Sequence, residues 1–310
     1  METLNDVRKR IKSVEGIAQM TGAMQLVSAA KKRRSIAMLD NTNPFVKHCL
    51  DTMSDVRFSQ NAINNPFFTL GQKEAGQTWK IAYFVLSGDQ GLAGAYNNNI
   101  VKACEEHVRK KILENSHKGI TTDYKMYVFG KIAKERLLHL GYSVDTGYSH
   151  PIVEPQYFHA QGVVSNIKQK ILIENYDLVY LVYTQLESAL NMKVNVIRLA
   201  PIDFKSIDLM KTFYDEIDSS GEKKEITYYP DVNEVFGFLV DSYLNAMVYG
   251  AMTQSYACEQ TARFAAMDNA TNSAEDMMKD LQLKFNRARQ AKITNELTEI
   301  INGANQVNNL

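Results

Sequence analysis

A seam of small and apolar side chains runs along the C-terminal part of the chain. Ala257, Gln260, Phe264, Met267, Thr271, Ala274, Met278, Leu281, Phe285 and Ala288 follow one another in alternating steps of three and four. This is the spacing of the a and d positions of a heptad, and it predicts a helix whose stripe must be covered by another helix. From Asp231 to Asn302 there is no proline, and the only glycines are Gly237 and Gly250. At 1.5 Å per residue such a helix is on the order of 100 Å long, well beyond the few turns of an ordinary globular helix.

The N-terminus repeats the pattern. Leu4, Val7, Ile11, Val14 and Ala18 step by three and four, and Met24 and Val27 continue an apolar face up to the basic run Lys31, Lys32, Arg33, Arg34. A helix is predicted from about residue 3 to about residue 57, with a kink or break at Asn43-Pro44, because proline removes a backbone donor and crowds the preceding turn. Charge suggests an antiparallel register, with Lys31 to Arg34 beside Glu259 and Arg8 to Lys12 beside Glu275, Asp276 and Asp280. Exposed ion pairs are individually weak, so they inform orientation only. In that register everything beyond about residue 288 projects past the start of the first helix as a lone tip. The basic residues Lys284, Arg287, Arg289 and Lys292 recur along it.

Between the two helices the period changes. Lys80 to Ser87 reads as a buried strand, followed by the loop Gly88-Asp-Gln-Gly-Leu-Ala-Gly94 and a helix through about Lys111. Tyr124 to Phe129 reads as a strand, Lys131 to Leu140 as a helix closed by Gly141, Val144 to Tyr148 as a short strand and Val163 to Asn175 as a helix. Asp177 to Thr184 and Lys193 to Pro201 read as a final hairpin. Alternating strands and helices predict a small α/β layer with a mostly parallel sheet. The expected fold is therefore a small Rossmann-like α/β domain flanked by the N- and C-terminal helices of a long antiparallel coiled coil. Its boundaries are a first coil helix over 1–59, the α/β domain over 78–203, a polar linker over 204–230 and the second coil helix over 231–310.

Composition narrows the function. The chain has 310 residues, with 35 basic and 35 acidic side chains, so bulk attraction to nucleic acid or to an anionic membrane is not implied. Cys49, Cys104 and Cys258 lie far apart without zinc or CxxC spacing, which fits a reducing compartment. The longest apolar runs are far shorter than a membrane span. No signal or transit pattern precedes the first heptad, and an intracellular location is expected.

Candidate chemistry is sparse. The glycine loop has GxxGxxG spacing rather than GxGxxG, and no Walker GK[ST] follows, so a tight strand-to-helix turn is the better explanation than a phosphate cradle. The six histidines, among them His107 and His159, show no paired ligand spacing. No GxSxG elbow is present, and Asp89 reads as a turn residue.

Taken together, certain segments resemble the gamma subunit of F-type ATP synthase. They are Ile11-Lys-Ser-Val, Gln19-Met-Thr-Gly-Ala-Met-Gln-Leu-Val-Ser-Ala-Ala-Lys-Lys-Arg-Arg34, Ser87-Gly-Asp-Gln-Gly-Leu-Ala-Gly94, Ala266-Met-Asp-Asn-Ala-Thr271 and Phe285-Asn-Arg-Ala-Arg-Gln-Ala-Lys-Ile-Thr-Asn-Glu-Leu-Thr-Glu-Ile300. The C-terminal segment is the most specific. The resemblance implies a central rotor shaft, one copy per complex, within a ring of three alpha and three beta subunits. It implies a foot domain on the epsilon subunit and the membrane-embedded c-ring, at the cytoplasmic face of a bacterial plasma membrane. It implies no catalytic residue, cofactor or metal in this chain. Within the matching motifs, Met24 is expected to face the lever region of beta, and Arg289, Gln290 and Thr294 to meet a loop of beta. The chain departs from the family's pattern at Gly22, where lysine is usual and where glycine weakens the helix by about 1 kcal/mol relative to alanine. It also departs at Ala93, where cysteine is common, and in the polar end Gly303 to Leu310. Two other classes fit the residues alone: a coiled-coil structural or adaptor protein that dimerises through its helices, and a nucleotide-binding α/β enzyme with helical oligomerisation arms.

Overall fold

The computed structural model describes residues 4–56, 67–68, 71, 73–148, 154–188, 191–202, 207 and 232–308. The proposed linker over 204–230 lies outside these residues except for Ile207. Among the described residues nine elements follow in chain order: α1 (Leu4–Val56), β1 (Thr78–Leu86), α2 (Tyr96–Ser116), β2 (Thr121–Phe129), α3 (Lys131–His139), α4 (Tyr157–Leu172), β3 (Leu178–Leu186), β4 (Met192–Ala200) and α5 (Val232–Asn308). They form two compact units, residues 30–262 on the one hand and residues 1–29 with 263–310 on the other.

In the larger unit the sheet has the order β2-β1-β3-β4. β1 is parallel to both β2 and β3, and β4 returns antiparallel to β3. A continuous buried run in β1 and β3, rather than an alternating one, reflects a sheet covered on both faces. Ile81, Tyr83 and Val85 point to one side, where Ile100, Cys104 and Val108 of α2 and Ala133 and Leu137 of α3 cover them. Ala82, Phe84 and Leu86 point to the other, against Val163 and Ile167 of α4, Leu50 and Met53 of α1, and Tyr243, Leu244 and Met247 of α5. The long helices are thus part of the core of the α/β layer. They approach closely at Gly250, since a Cβ there would stand 2.8 Å from Val46 Cγ2.

Some elements differ from their sequence-based bounds. α1 is continuous through Pro44. The carbonyl that loses its donor belongs to Asp40, which is exposed, so water can take the bond and the helix tolerates the ring. α4 begins six residues before Val163, because Gln156 and His159 form a reciprocal capping box at its start. In place of a strand over 144–148 there is one bridge, Val144 to Met126. The chain turns directly afterwards, with Asp145 accepting from the Tyr148 amide at 2.8 Å.

In the smaller unit the seam positions of α5 from Phe264 onward are buried or half-buried, with Met267, Ala274 and Leu281 buried. On α1 the seam runs through Leu4, Val7, Ile11, Val14, Ala18, Thr21, Gln25 and Ser28. Met24 and Val27, expected to continue the apolar face, lie outside it, at 38% and 56% exposure. The three-four step from Ala18 leads to Thr21 and Gln25, and an apolar side chain one position off the heptad points away from the partner helix. Among the described residues, hydrogen bonds cross the pair from Thr271 Oγ1 to Thr21 Oγ1 at 2.9 Å and from Gln25 Nε2 to Asp268 Oδ1 at 2.6 Å. Their residue numbers total 292 and 293, the antiparallel register that the charge pattern suggests. Of the charges used for that inference, Arg34 reaches Glu154 at 2.7 Å, and Asp276 pairs with Lys279 on its own helix at 3.0 Å.

Candidate partner-binding surface

The glycine loop lies at the carboxyl ends of β1 and β2, the crevice in which open α/β sheets hold ligands. Here the chain's own groups fill it. The Gly88 amide donates to Asn97 Oδ1 at 2.8 Å, and a Cβ at Gly88 would stand 2.9 Å from Glu259 Oε1 of α5. Asp89 Oδ1 accepts from the Lys131 amide at 3.1 Å, at the start of α3. Gly130 has a φ of +82°, and a Cβ on it would come within 2.4 Å of the Ser87 carbonyl, so the glycine permits two strand ends to meet. Ser255 Oγ accepts from the Thr184 amide at 3.2 Å, and Gln254 Oε1 from the Leu186 amide at 3.1 Å. Helix α5 therefore satisfies the backbone donors at the end of β3. A loop whose amide is committed and whose nearest side chains include two carboxylates is poorly suited to a phosphate, and the tight-turn explanation accounts for its glycines.

Burial shapes the titratable groups of this unit without assembling a reactive centre. His107 Nδ1 lies 3.1 Å from Tyr83 Oη, with the ring also edge-on to Tyr180. Desolvation first, and then the charge of Lys111, lowers its pKa from 6.5 to about 4, so the ring is neutral near pH 7. Burial pushes the thiols of Cys104 and Cys258 up to about 12, which leaves them unreactive.

Met24, Arg289, Gln290 and Thr294 are all exposed, and all lie in the smaller unit. Every residue from Arg289 to Asn302 is exposed, and the last buried position on α5 is Leu281. The register explains this, since Leu4, the first described residue of α1, stands opposite Ala288. Beyond that point α5 has no helix to cover it within this unit. The tip carries Ile293, Leu297, Ile300 and Ile301 in the open, each at least 47% exposed. Thr294 Oγ1 donates to the Gln290 carbonyl at 3.0 Å and Thr298 Oγ1 to the Thr294 carbonyl at 2.8 Å, so both hydroxyl protons are spent on their own helix. Lys292 faces Glu296 at 3.6 Å. Arg289 and Gln290 extend from the tip without a side-chain partner among the described residues.

Met24 belongs to a second surface. Ile17, Met20 and Val27 are exposed around it on the same face of α1. Sequence inspection singled out Met24 and missed most of these neighbours. Their signal is available, namely apolar residues at positions the heptad does not use. Met24 stands level with about Asp268, whereas Arg289 is twenty-one residues farther along α5, about 30 Å at the helical rise. The four candidate residues thus stand at two separate levels along the helical pair.

These features define a class: in one unit an antiparallel helical pair with uncovered apolar and basic surfaces, and in the other a small α/β domain with α1 and α5 in its core. Comparison with known proteins gives the family. Residues 3–307 match the family described as ATP synthase. The chain is similar to the ATP synthase gamma chain of Acetivibrio thermocellus, with 34% identity over 98% of this chain and 99% of the relative. It is similar also to the sodium ion specific ATP synthase gamma chain of Acetobacterium woodii, with 30% identity over 99% of each. Among solved structures, a chain of the Euglena gracilis mitochondrial ATP synthase, in a structure of OSCP, F1 and c-ring, matches with a TM-score of 0.62 and 15% identity, over 98% of this chain and 94% of that one. A chain from the central stalk and c-ring structure of the Tetrahymena thermophila mitochondrial enzyme matches with a TM-score of 0.52 and 20% identity, over 81% of this chain and 99% of that one. The chain belongs to the family of ATP synthase gamma chains.

Proposed function

We propose that this chain is the central-stalk rotor of a rotary ATP synthase, and that it transmits ion-driven rotation to the catalytic subunits without performing bond chemistry itself. The observation that carries this reading is the uncovered tip from Arg289 to Asn302, a fully exposed continuation of a helix whose seam is buried or half-buried up to Ala288. An isolated helix with four exposed aliphatic side chains gains little by standing alone in water, so a surrounding partner is its natural complement. The partner is a ring of alpha and beta subunits. In it, Met24 and its exposed neighbours face beta at one level, and Arg289, Gln290 and Thr294 meet beta at another. An asymmetric shaft that touches three like subunits differently biases their open and closed states by differential contact energy, which is how rotation becomes a change in nucleotide affinity. The α/β domain serves as the foot toward epsilon and the c-ring. No described helix is long and apolar enough to cross a membrane, in keeping with a peripheral position at the cytoplasmic membrane face through the ion-translocating part.

The test is co-expression with alpha and beta subunits, purification through a tag on this chain and native mass spectrometry. Three alpha, three beta and one copy of this chain are expected. A homodimer that ignores alpha and beta overturns the reading.

A further inference from the structure

The chain is neutral as a whole, with 35 basic and 35 acidic side chains, but charge on the smaller unit is sorted into bands. Asp6 to Lys12 of α1 and Lys279 to Lys292 of α5 hold nine basic residues and two acidic ones, Asp6 and Asp280. The register brings the two segments together, since Arg8 stands level with Lys284 and Asp6 with Arg287. The neighbouring band, Ser13 to Gln25 with Met267 to Met278, holds four carboxylates and no basic residue. On the tip, Ile293 to Asn308 holds Glu296 and Glu299 and again no basic residue. A positive collar about 20 Å long therefore lies between two negative stretches.

The collar works against the helices that carry it. All nine basic side chains are exposed. Arg8 and Lys12 are four residues apart on α1, and Lys284 and Arg287 three apart on α5, spacings at which like charges destabilise a helix. Among the described residues, Lys279 pairs with Asp276 at 3.0 Å and Lys292 with Glu296 at 3.6 Å, whereas Arg8, Lys9, Lys12, Lys284, Arg287 and Arg289 have no ion pair. Carboxylates are at hand in the adjoining band, so a helical pair built only for its own stability would interleave the two signs. Their separation calls for a counter-charge from outside the chain.

Shape decides what supplies it. Steps of about 100° place Arg8, Lys9 and Arg10 on three sides of α1, so the cations diverge from a convex surface. A nucleotide or free phosphate needs donors that converge in a concavity. A long polyanion such as duplex nucleic acid would run from the collar on to the carboxylates at either end. An anionic membrane takes up a helix whose basic residues border one apolar face, not a pair charged on several sides. A short acidic loop matches the collar in both length and sign, and more than one can dock around the pair at once.

We infer that this collar is a docking surface for short acidic polypeptide segments of a surrounding partner. Coulombic attraction to divergent cations depends little on orientation, whereas a two-pronged bond from one guanidinium holds at one angle only. The collar therefore keeps its contact as the pair turns inside its partner. That role rests on the proposed rotor function, whereas the attraction itself does not.

The test uses the full chain, a fluorescein-labelled hexaglutamate peptide and fluorescence anisotropy. A collar variant combines Arg8→Gln, Lys9→Gln, Lys12→Gln, Lys284→Gln and Arg287→Gln. A control combines Lys102→Gln and Lys118→Gln, two exposed cations of the larger unit. The parent is expected to bind the peptide and to weaken as salt rises. The collar variant should bind about tenfold more weakly, and the control within about twofold of the parent. Relief of like-charge repulsion should leave the collar variant melting no lower than the parent, so lost binding is not lost fold. A lower midpoint would show that the collar stabilises the pair and would overturn the proposal, as would an unchanged affinity. So would a duplex oligonucleotide or a phosphatidylserine vesicle that binds the parent more tightly than the peptide and loses that binding in the collar variant. None of these readings needs an alpha or beta subunit, so failure here is distinct from failure of the rotor reading. With alpha and beta present, the association rate of the parent chain should fall with salt and that of the collar variant stay nearly flat. Equal salt dependence overturns the link to the ring.

Discussion

Leu239 to Ala262 and Arg289 to Asn302 are stretches of one helix, yet no residue of the first is exposed and every residue of the second is. Helix propensity does not separate them, because both contain strong helix formers and neither contains proline. The difference is what surrounds them. The first stretch is enclosed by α1 and by the sheet with its carboxyl-end loops, so even its polar residues Gln254 and Ser255 are bonded to the end of β3. The second has run past the end of its partner helix. Its apolar side chains therefore contribute little to this chain's own stability, and they remain available for contacts with another subunit.

The sharpest way to break this contrast is to make the same substitution in both stretches. Leu244 is 0% exposed and Leu297 is 54% exposed. Leu244→Ala should cost about 2–5 kcal/mol, through lost burial and the cavity left behind. Leu297→Ala should change stability by no more than about 0.5 kcal/mol. Denaturant unfolding of the isolated chain measures both, and equal losses would show that the tip is packed in solution.

A second substitution asks how rigidly the α/β layer holds its own loops. Gly130→Ala places a Cβ 2.4 Å from the Ser87 carbonyl at a φ of +82°. The expected loss is about 1–3 kcal/mol for the backbone alone, and more if the β1 and β2 ends cannot separate. A midpoint within error of the parent would mean that this junction opens freely. It would also weaken the case that the glycine loop is a structural turn.

Acid separates the regions in another way. His107 is buried in the α/β layer with its pKa lowered from 6.5 to about 4. Between those values the unfolded chain binds a proton that the folded chain does not, so stability rises with pH across that window and falls as the medium is acidified. Since the ring is partly open to solvent, its share is about 1–2 kcal/mol. Replacement by phenylalanine should flatten the slope of unfolding free energy between pH 4 and 6.5 by that amount, the bounds being those two pKa values. An unchanged slope would place the acid sensitivity elsewhere.

Much of this contrast is legible in the amino-acid order. The seam from Phe264 to Ala288 follows from periodicity, because steps of three and four translate directly into a helix face, and the antiparallel register and the lone tip follow once the charge pattern is laid over it. Four strands and the final hairpin are legible from their apolar runs. What escapes is tertiary. Periodicity marks a run that needs a partner helix but not the polar interior at Thr21 and Gln25, and the apolar side chains Met24 and Val27 read as an extension of the stripe although the helix geometry places them outside it. The start of α4 was missed because its first turn, Tyr157-Phe-His, carries no apolar period and is held by a capping box with glutamine and histidine. The filling of the glycine crevice by Glu259 joins residues 171 positions apart, which no local pattern reveals.

The smallest effect on the fold should accompany the clearest effect on function. Arg289 and Gln290 are exposed, and among the described residues their side chains bond to nothing. Alanine at either position should leave unfolding within about 0.5 kcal/mol of the parent, since neither ion pair nor packing is lost. In the assembled complex the same variants should weaken coupling of ATP hydrolysis to ion movement, because a guanidinium and an amide at this level are suited to bond a loop of beta. Arg289→Lys separates charge from geometry, for it keeps the cation and removes the two-pronged donor. Partial recovery with lysine would assign the contact to charge, and none would assign it to the planar fork. Global unfolding of either alanine variant would contradict the exposed tip itself. Full coupling in both would leave Ile293, Leu297, Ile300 and Ile301 as the tip's only means of engaging the ring.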